Sequence, residues 1–131
     1  MEIPGPSARW RMLIEAVVLV ASPAAAQRAW LEKYDVPPEE IFLGFDDAFR
    51  LAEELVREGM LSATGLSHLR MIDEIHGEMA GDEGTDRWTS EALSADAEWN
   101  RAQWSAREVL TAEGQTEGEG DARLPDPCIV R

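Results

Sequence analysis

Glu98-Trp99-Asn100-Arg101-Ala102-Gln103-Trp104-Ser105-Ala106-Arg107-Glu108-Val109-Leu110 carries a clear helical period. At about 100° per residue, Trp99, Ala102, Ala106, Val109 and Leu110 fall in one apolar arc. Trp104 stands roughly opposite, among Asn100, Arg107, Glu108 and Thr111. This predicts a helix that packs on one face and carries a single large aromatic on its polar side. Trp88 and Trp99 are expected in the core, pinning the last helix to the rest.

Working outward, the same period recurs. Trp10, Leu13, Ile14, Val17 and Val20 share a face and predict a helix over about 8–21. Ser22-Pro23 reads as an N-cap followed by proline in the first turn, opening a second helix over about 23–34. The short break predicts that these two form an antiparallel hairpin. Asp35-Val36-Pro37-Pro38-Glu39-Glu40 is the next start signal, since proline and acids both suit a first turn. Ile41, Phe42, Phe45, Ala48, Phe49, Leu51, Ala52, Leu55 and Val56 then hold phase up to Gly59, a C′ residue. Gly44 costs about 1 kcal/mol in a helix interior. The helix therefore continues or kinks there, or Ile41–Phe45 is a short extended piece and Asp46 caps a second segment. Ser62 caps a helix over about 63–80, striped by Leu69, Ile72, Ile75 and Met79. Thr89 caps a short helix through Leu93, and Ser94 or Asp96 caps the last one, which ends near Glu113 and Gly114. The fold class is all-α: a bundle of about five helices over residues 1–113. Residues 114–131 have little to bury and are expected to form a disordered acidic tail.

The 131 residues carry a net charge of -14. The middle of the chain holds most of it: residues 35–113 contain 19 acids against 6 bases. Such a field repels nucleic acid and anionic membranes and attracts basic partners, although acidity also serves solubility alone. The one cysteine, Cys128, excludes an internal disulfide framework and a cysteine metal site. That fits a reducing cytoplasm. Arg9 and Arg11 before Met12–Val20, with Ala24-Ala25-Ala26 after it, imitate a secretory signal cleaved after Ala26. Glu15 inside the apolar run and the helix start at Ser22-Pro23 weigh against it. The run is also too short and too charged to span a membrane.

The candidate chemistry is sparse. His68 and His76 lie about 12 Å apart along their helix, too far to share a metal ion, and are expected to be core residues. Asp46, Asp47, Glu53 and Glu54 form a solvated face rather than an acid–base pair. No phosphate loop, catalytic triad or cofactor motif is present, so an enzyme is not expected. Asp73, Glu74, Glu78, Asp82, Glu83 and Asp86 gather around one helix end and its loop, without the spacing of a calcium loop. They are either an ordinary solvated face or a docking surface for a basic protein, with Trp104 as its aromatic anchor. A nucleic-acid mimic that binds a DNA-binding protein, and a homodimer built on Trp104, are the other readings.

Gly59-Met60-Leu61-Ser62, Met71-Ile72-Asp73-Glu74-Ile75, Met79-Ala80-Gly81, Arg87-Trp88-Thr89, Ala92-Leu93 and Glu98-Trp99, closing on Arg107 and Leu110, make a pattern over about residues 36–110. It resembles small helical actinobacterial proteins that act as immunity proteins of polymorphic toxin systems. The chain departs from that pattern at Ala80 and at Gln103-Trp104. The resemblance implies a cytoplasmic antidote that binds a cognate toxin domain and blocks it. The matching positions are packing and capping residues.

Overall fold

The structure, a computed structural model, describes residues 6–81 and 87–114. Among them every regular element is a helix: α1 (Pro6–Ala21), α2 (Ala24–Tyr34), α3 (Glu39–Phe49), α4 (Ala52–Arg57), α5 (Ala63–Gly81), α6 (Ala92–Ala95) and α7 (Ala97–Ala112). The count is thus seven, because a short turn precedes α7 and the segment expected as one helix over 39–57 is two. The expected acidic tail, with Cys128, lies outside the described residues.

α1 is a central element and packs on α3, α4 and α7. Leu13, Ala16, Val17 and Val20 are buried at the i, i+3, i+4, i+7 spacing of a core-facing helix. α5 lies along α7, and α2 packs on α6. No single described helix is long and apolar enough to cross a membrane. Phe42 of α3 is an aromatic hub with no exposed surface. The His76 ring stacks on it at 4.8 Å and 5°, Trp99 tilts against it at 4.8 Å, and Trp88 meets it edge-on at 6.0 Å. Trp99 is fully buried, whereas Trp88 is only half-buried against this core. The histidines are likewise half-buried.

The end of α1 departs from the expected hairpin. Ser22 does not cap α2: its Oγ donates back to Val18 O at 2.7 Å, and Pro23 is the N-cap residue. α2 leaves at 116° to α1, so the two make a corner rather than an antiparallel pair. The last four carbonyls of any α-helix lack an intrahelical partner. Here each finds one in a side chain. Gln27 Nε2 donates to Leu19 O at 3.1 Å and Val20 O at 3.0 Å, and Arg107 Nε donates to Ala21 O at 3.1 Å. The Gln27 carbonyl in turn accepts from Gln103 Nε2 at 3.1 Å, whose other hydrogen goes to Leu93 O at 3.0 Å. All four amide hydrogens of two buried glutamines are therefore used.

Gly44 sits inside α3, so the helix runs through it and no extended piece forms at 41–45. Asp46 accordingly does not cap a segment; it pairs with Arg50 one turn on. The break comes later, at Arg50 and Leu51, where Leu51 N bonds to Ala48 O in a tighter turn. No breaker residue marks it. The step lets Ala52 and Leu55, both without exposed surface, face the core as α4 meets α1 and α5.

The other boundaries follow local rules. Gly59 has φ +79°, Met60 N bonds to Leu55 O and Gly59 N to Val56 O, the double bond of a Schellman stop. Asp35 repeats that stop after α2 with φ 53°, so it ends one helix rather than starting the next. Ser62 Oγ accepts from Gly65 N at 2.9 Å, and the Glu113 carboxylate from the end of α7 accepts from Ser62 Oγ and Ser62 N. Asp96 Oδ1 accepts from Glu98 N at 2.7 Å and Trp99 N at 3.3 Å, capping α7. Thr89 Oγ1 accepts from Ala92 N at 3.1 Å at the start of α6. Arg9, ahead of the apolar run, is buried and pairs with Glu58 at 2.7 Å, joining α1 to the end of α4.

Replacing Gln27 by Leu would strand Val20 O and one Gln103 hydrogen in the interior and leave Leu19 O with Ser22 N alone. The expected cost is about 2–4 kcal/mol, measured as a lower urea midpoint with an unchanged slope.

Candidate functional site

Trp104 is 56% exposed, the most exposed of the large apolar side chains. The phase of α7 explains this. Ala102, Gln103, Ser105 and Ala106 are all buried, and Trp104 is the outward residue of that turn. Its only ring contact on the described surface is the edge of His68 on α5, 6.1 Å away at 79°. An open depression of about 310 Å³ lies beside it, lined by Met71, Asn100, Arg101, Trp104 and Ser105. Met71 on α5 is itself 39% exposed. Two exposed apolar side chains from neighbouring helices thus share one hollow.

The rim is acidic and holds one cation. Arg101 Nη1 donates to Glu98 at 2.7 and 3.0 Å and lies 3.8 Å from Glu78, while Nη2 reaches Met71 Sδ at 3.8 Å. The hydrogen bond from Arg101 holds the Glu98 carboxyl below its ordinary range, against the opposing effect of burial. The same bond, with the nearby charges of Glu98, Glu78 and Glu74, raises Arg101. Glu74 and Glu78 lie within about 60° of Met71 around α5, on the side that meets α7. Three carboxylates therefore surround one guanidinium.

The acidic cluster expected from the sequence divides accordingly. Glu74 and Glu78 share the flank with Trp104. Asp73 is exposed but stands about 160° round the helix from Met71, away from the hollow. Asp82, Glu83 and Asp86 lie outside the described residues. Asp46 and Asp47 pair with Arg50, Glu53 with Arg70 and Glu54 with Arg57, all at the surface. Among the described residues no group of three His, Cys, Asp or Glu side chains is placed to hold a metal ion. Met71 and Arg101 were not singled out from the sequence. The one available sign for Met71 was its place at the edge of the α5 stripe, and for Arg101 its i, i+3 spacing to Glu98.

Chemically, the hollow can receive an apolar side chain on Met71 and Trp104 and a cation at its rim. At about 310 Å³ it is at the small end of ligand sites. That suits one or two side chains of a protein.

Trp104→Ala should change the unfolding free energy by less than about 1 kcal/mol, because little is buried there. Trp99→Ala should cost about 3–5 kcal/mol. Urea melts of the two variants check the contrast. The Glu98–Arg101 link has its own pH signature. A lowered carboxyl pKa gives stability that is fully present above the unfolded value and is lost as pH falls through the folded one. Arg101→Gln should therefore differ from wild type more at about pH 7 than at about pH 3, read by thermal melts at both. No family model matches the chain, and no curated protein or solved structure matches it either, so its chemistry alone speaks for the site.

Proposed function

We propose that this chain is a binding protein that docks a basic partner on the α5–α7 face. Following the resemblance of residues 36–110, that partner is a bacterial toxin domain, which the chain neutralises in the cytoplasm by covering it. The observation that carries the reading is the exposed Trp104 beside Met71, set in a rim of Glu74, Glu78 and Glu98. A whole aromatic side chain removes about 150–250 Å² from water when buried, and 56% of Trp104 is still exposed. Aromatic anchors of this kind carry most of the affinity at interfaces, while acids around them steer a basic partner into place. A homodimer on the same face would bring together two chains of charge -14, which opposes it.

The test is to mix the purified chain with the toxin-like product of the gene beside its own and follow the complex by size exclusion and calorimetry. A complex is expected at low salt. Trp104→Ala should weaken it by about 30-fold or more, as hot-spot truncations do. Absence of a complex at low salt would count against the reading, and so would an unchanged affinity in the variant.

A further inference from the structure

Arg101 occupies the place that a cation from a partner would take. It is the one basic side chain lining the hollow, its charge lies between Glu98 and Glu78, and its Nη2 lies against Met71. Its hold is uneven: the Arg101 side chain is 51% exposed and its looser partner Glu78 62% exposed, while its closer partner Glu98 is 19% exposed. Exposed ion pairs of this kind are worth little, about 0–1 kcal/mol, so a second guanidinium can displace the first. The apolar floor is not self-sufficient either, since Met71 and Trp104 both remain in contact with solvent.

Resting on the reading of this face as a protein-docking surface, we propose that its occupant is an arginine-bearing helical segment of the partner. One apolar side chain of that segment sits on Met71 and Trp104. The adjacent guanidinium replaces Arg101 between Glu78 and Glu98, within reach of the Trp104 ring. Arg101 is a placeholder: it covers the carboxylates when no partner is bound and swings out when one arrives. Charge complementarity selects this occupant, because three acids against one half-exposed base leave the rim anionic once Arg101 moves.

The probe is a short fluorescein-labelled amphipathic peptide with arginines flanking a leucine stripe, beside a copy in which every arginine is citrulline. Anisotropy titrations at low salt compare wild type with Arg101→Gln, Trp104→Ala and Arg70→Gln. Arg70 pairs with Glu53 on α4, outside the lining of the hollow, so it controls for a general change of charge. Arg101→Gln should tighten the arginine peptide by about fivefold, Arg70→Gln should shift it less than about twofold, and Trp104→Ala should weaken it by about tenfold. The citrulline peptide should gain nothing from Arg101→Gln. Binding that Arg101→Gln leaves unchanged or weakens overturns the exchange, and so does an equal gain for citrulline. No binding of the peptide to any form also overturns it. If the toxin partner still depends on Trp104 in those cases, the docking face survives. Peptide exchange together with a toxin that ignores Trp104 removes the toxin reading alone. Thermal melts of each variant confirm that it is folded.

Discussion

Four carbonyls at the buried end of α1 constrain much of the molecule. Val18, Leu19, Val20 and Ala21 finish a helix at a buried to part-buried corner, where an unmade hydrogen bond is costly. Ser22, Gln27 and Arg107 supply the donors. To do so, α2 must turn through 116° so that Gln27 comes back under α1, and α7 must lie where Arg107 and Gln103 reach it. The Gln103 amide then ties in Leu93 of α6. Apolar packing gives these helices a reason to associate, but a hydrophobic contact is indifferent to rotation. A pair of buried amides with every hydrogen assigned is not, and it fixes the phase of α7.

That phase places Trp104. Gln103 faces inward because Gln27 and Leu93 require it, and Ala102 and Ala106 are buried beside it. With about 100° between successive residues, Trp104 cannot share that environment. Two further restraints hold the helix in register. Asp96 caps its start and pairs with Arg87 at 3.1 Å, while Trp99 Nε1 donates to Arg87 O at 2.7 Å. At its end, Glu113 accepts from Ser62, so α7 caps α5. The exposed tryptophan is thus held by a frame in which it takes almost no part, as expected of a residue kept for something outside the fold.

The helical class and most helix ends were legible because they depend on local rules. Asp96, Ser62 and Gly59 act within four residues of themselves, and the α7 stripe is written in its own period. What was not legible depends on neighbours. Nothing in their own segments marks Gln27 and Gln103 for burial, and only the crossing of α1, α2 and α7 makes them core. The step at Arg50–Leu51 has no local signal, since tertiary packing of Ala52 and Leu55 sets it. The site divides the same way. Trp104 was visible as a residue out of phase on its own helix. Met71 and Arg101 became part of the hollow only once α5 was known to lie beside α7. Asp73 was grouped with Glu74 because the two are adjacent in sequence, yet adjacency on a helix separates side chains by about 100°.

The charge of the chain follows from the same division between interior and surface. Apolar burial and the glutamine network secure most of the fold; Glu58, Asp96 and Glu113 add a pair with Arg9, a cap and a bond to Ser62, and the remaining surface carboxylates contribute little. Exposed pairs such as Arg50–Asp46 and Arg70–Glu53 contribute little to stability. Excess charge of one sign even works against compactness by self-repulsion. A chain that nonetheless holds 19 acids against 6 bases in residues 35–113 keeps a field that its own folding does not use. That field matters most where it can act with apolar contact. On the described surface the hollow between α5 and α7 is such a place: its acids lie beside two exposed apolar side chains, and its one cation is itself half-exposed, held between a mostly buried Glu98 and an exposed Glu78. On the proposed reading, charge there would bring a basic partner near, and Trp104 and Met71 would give it apolar contact to hold it.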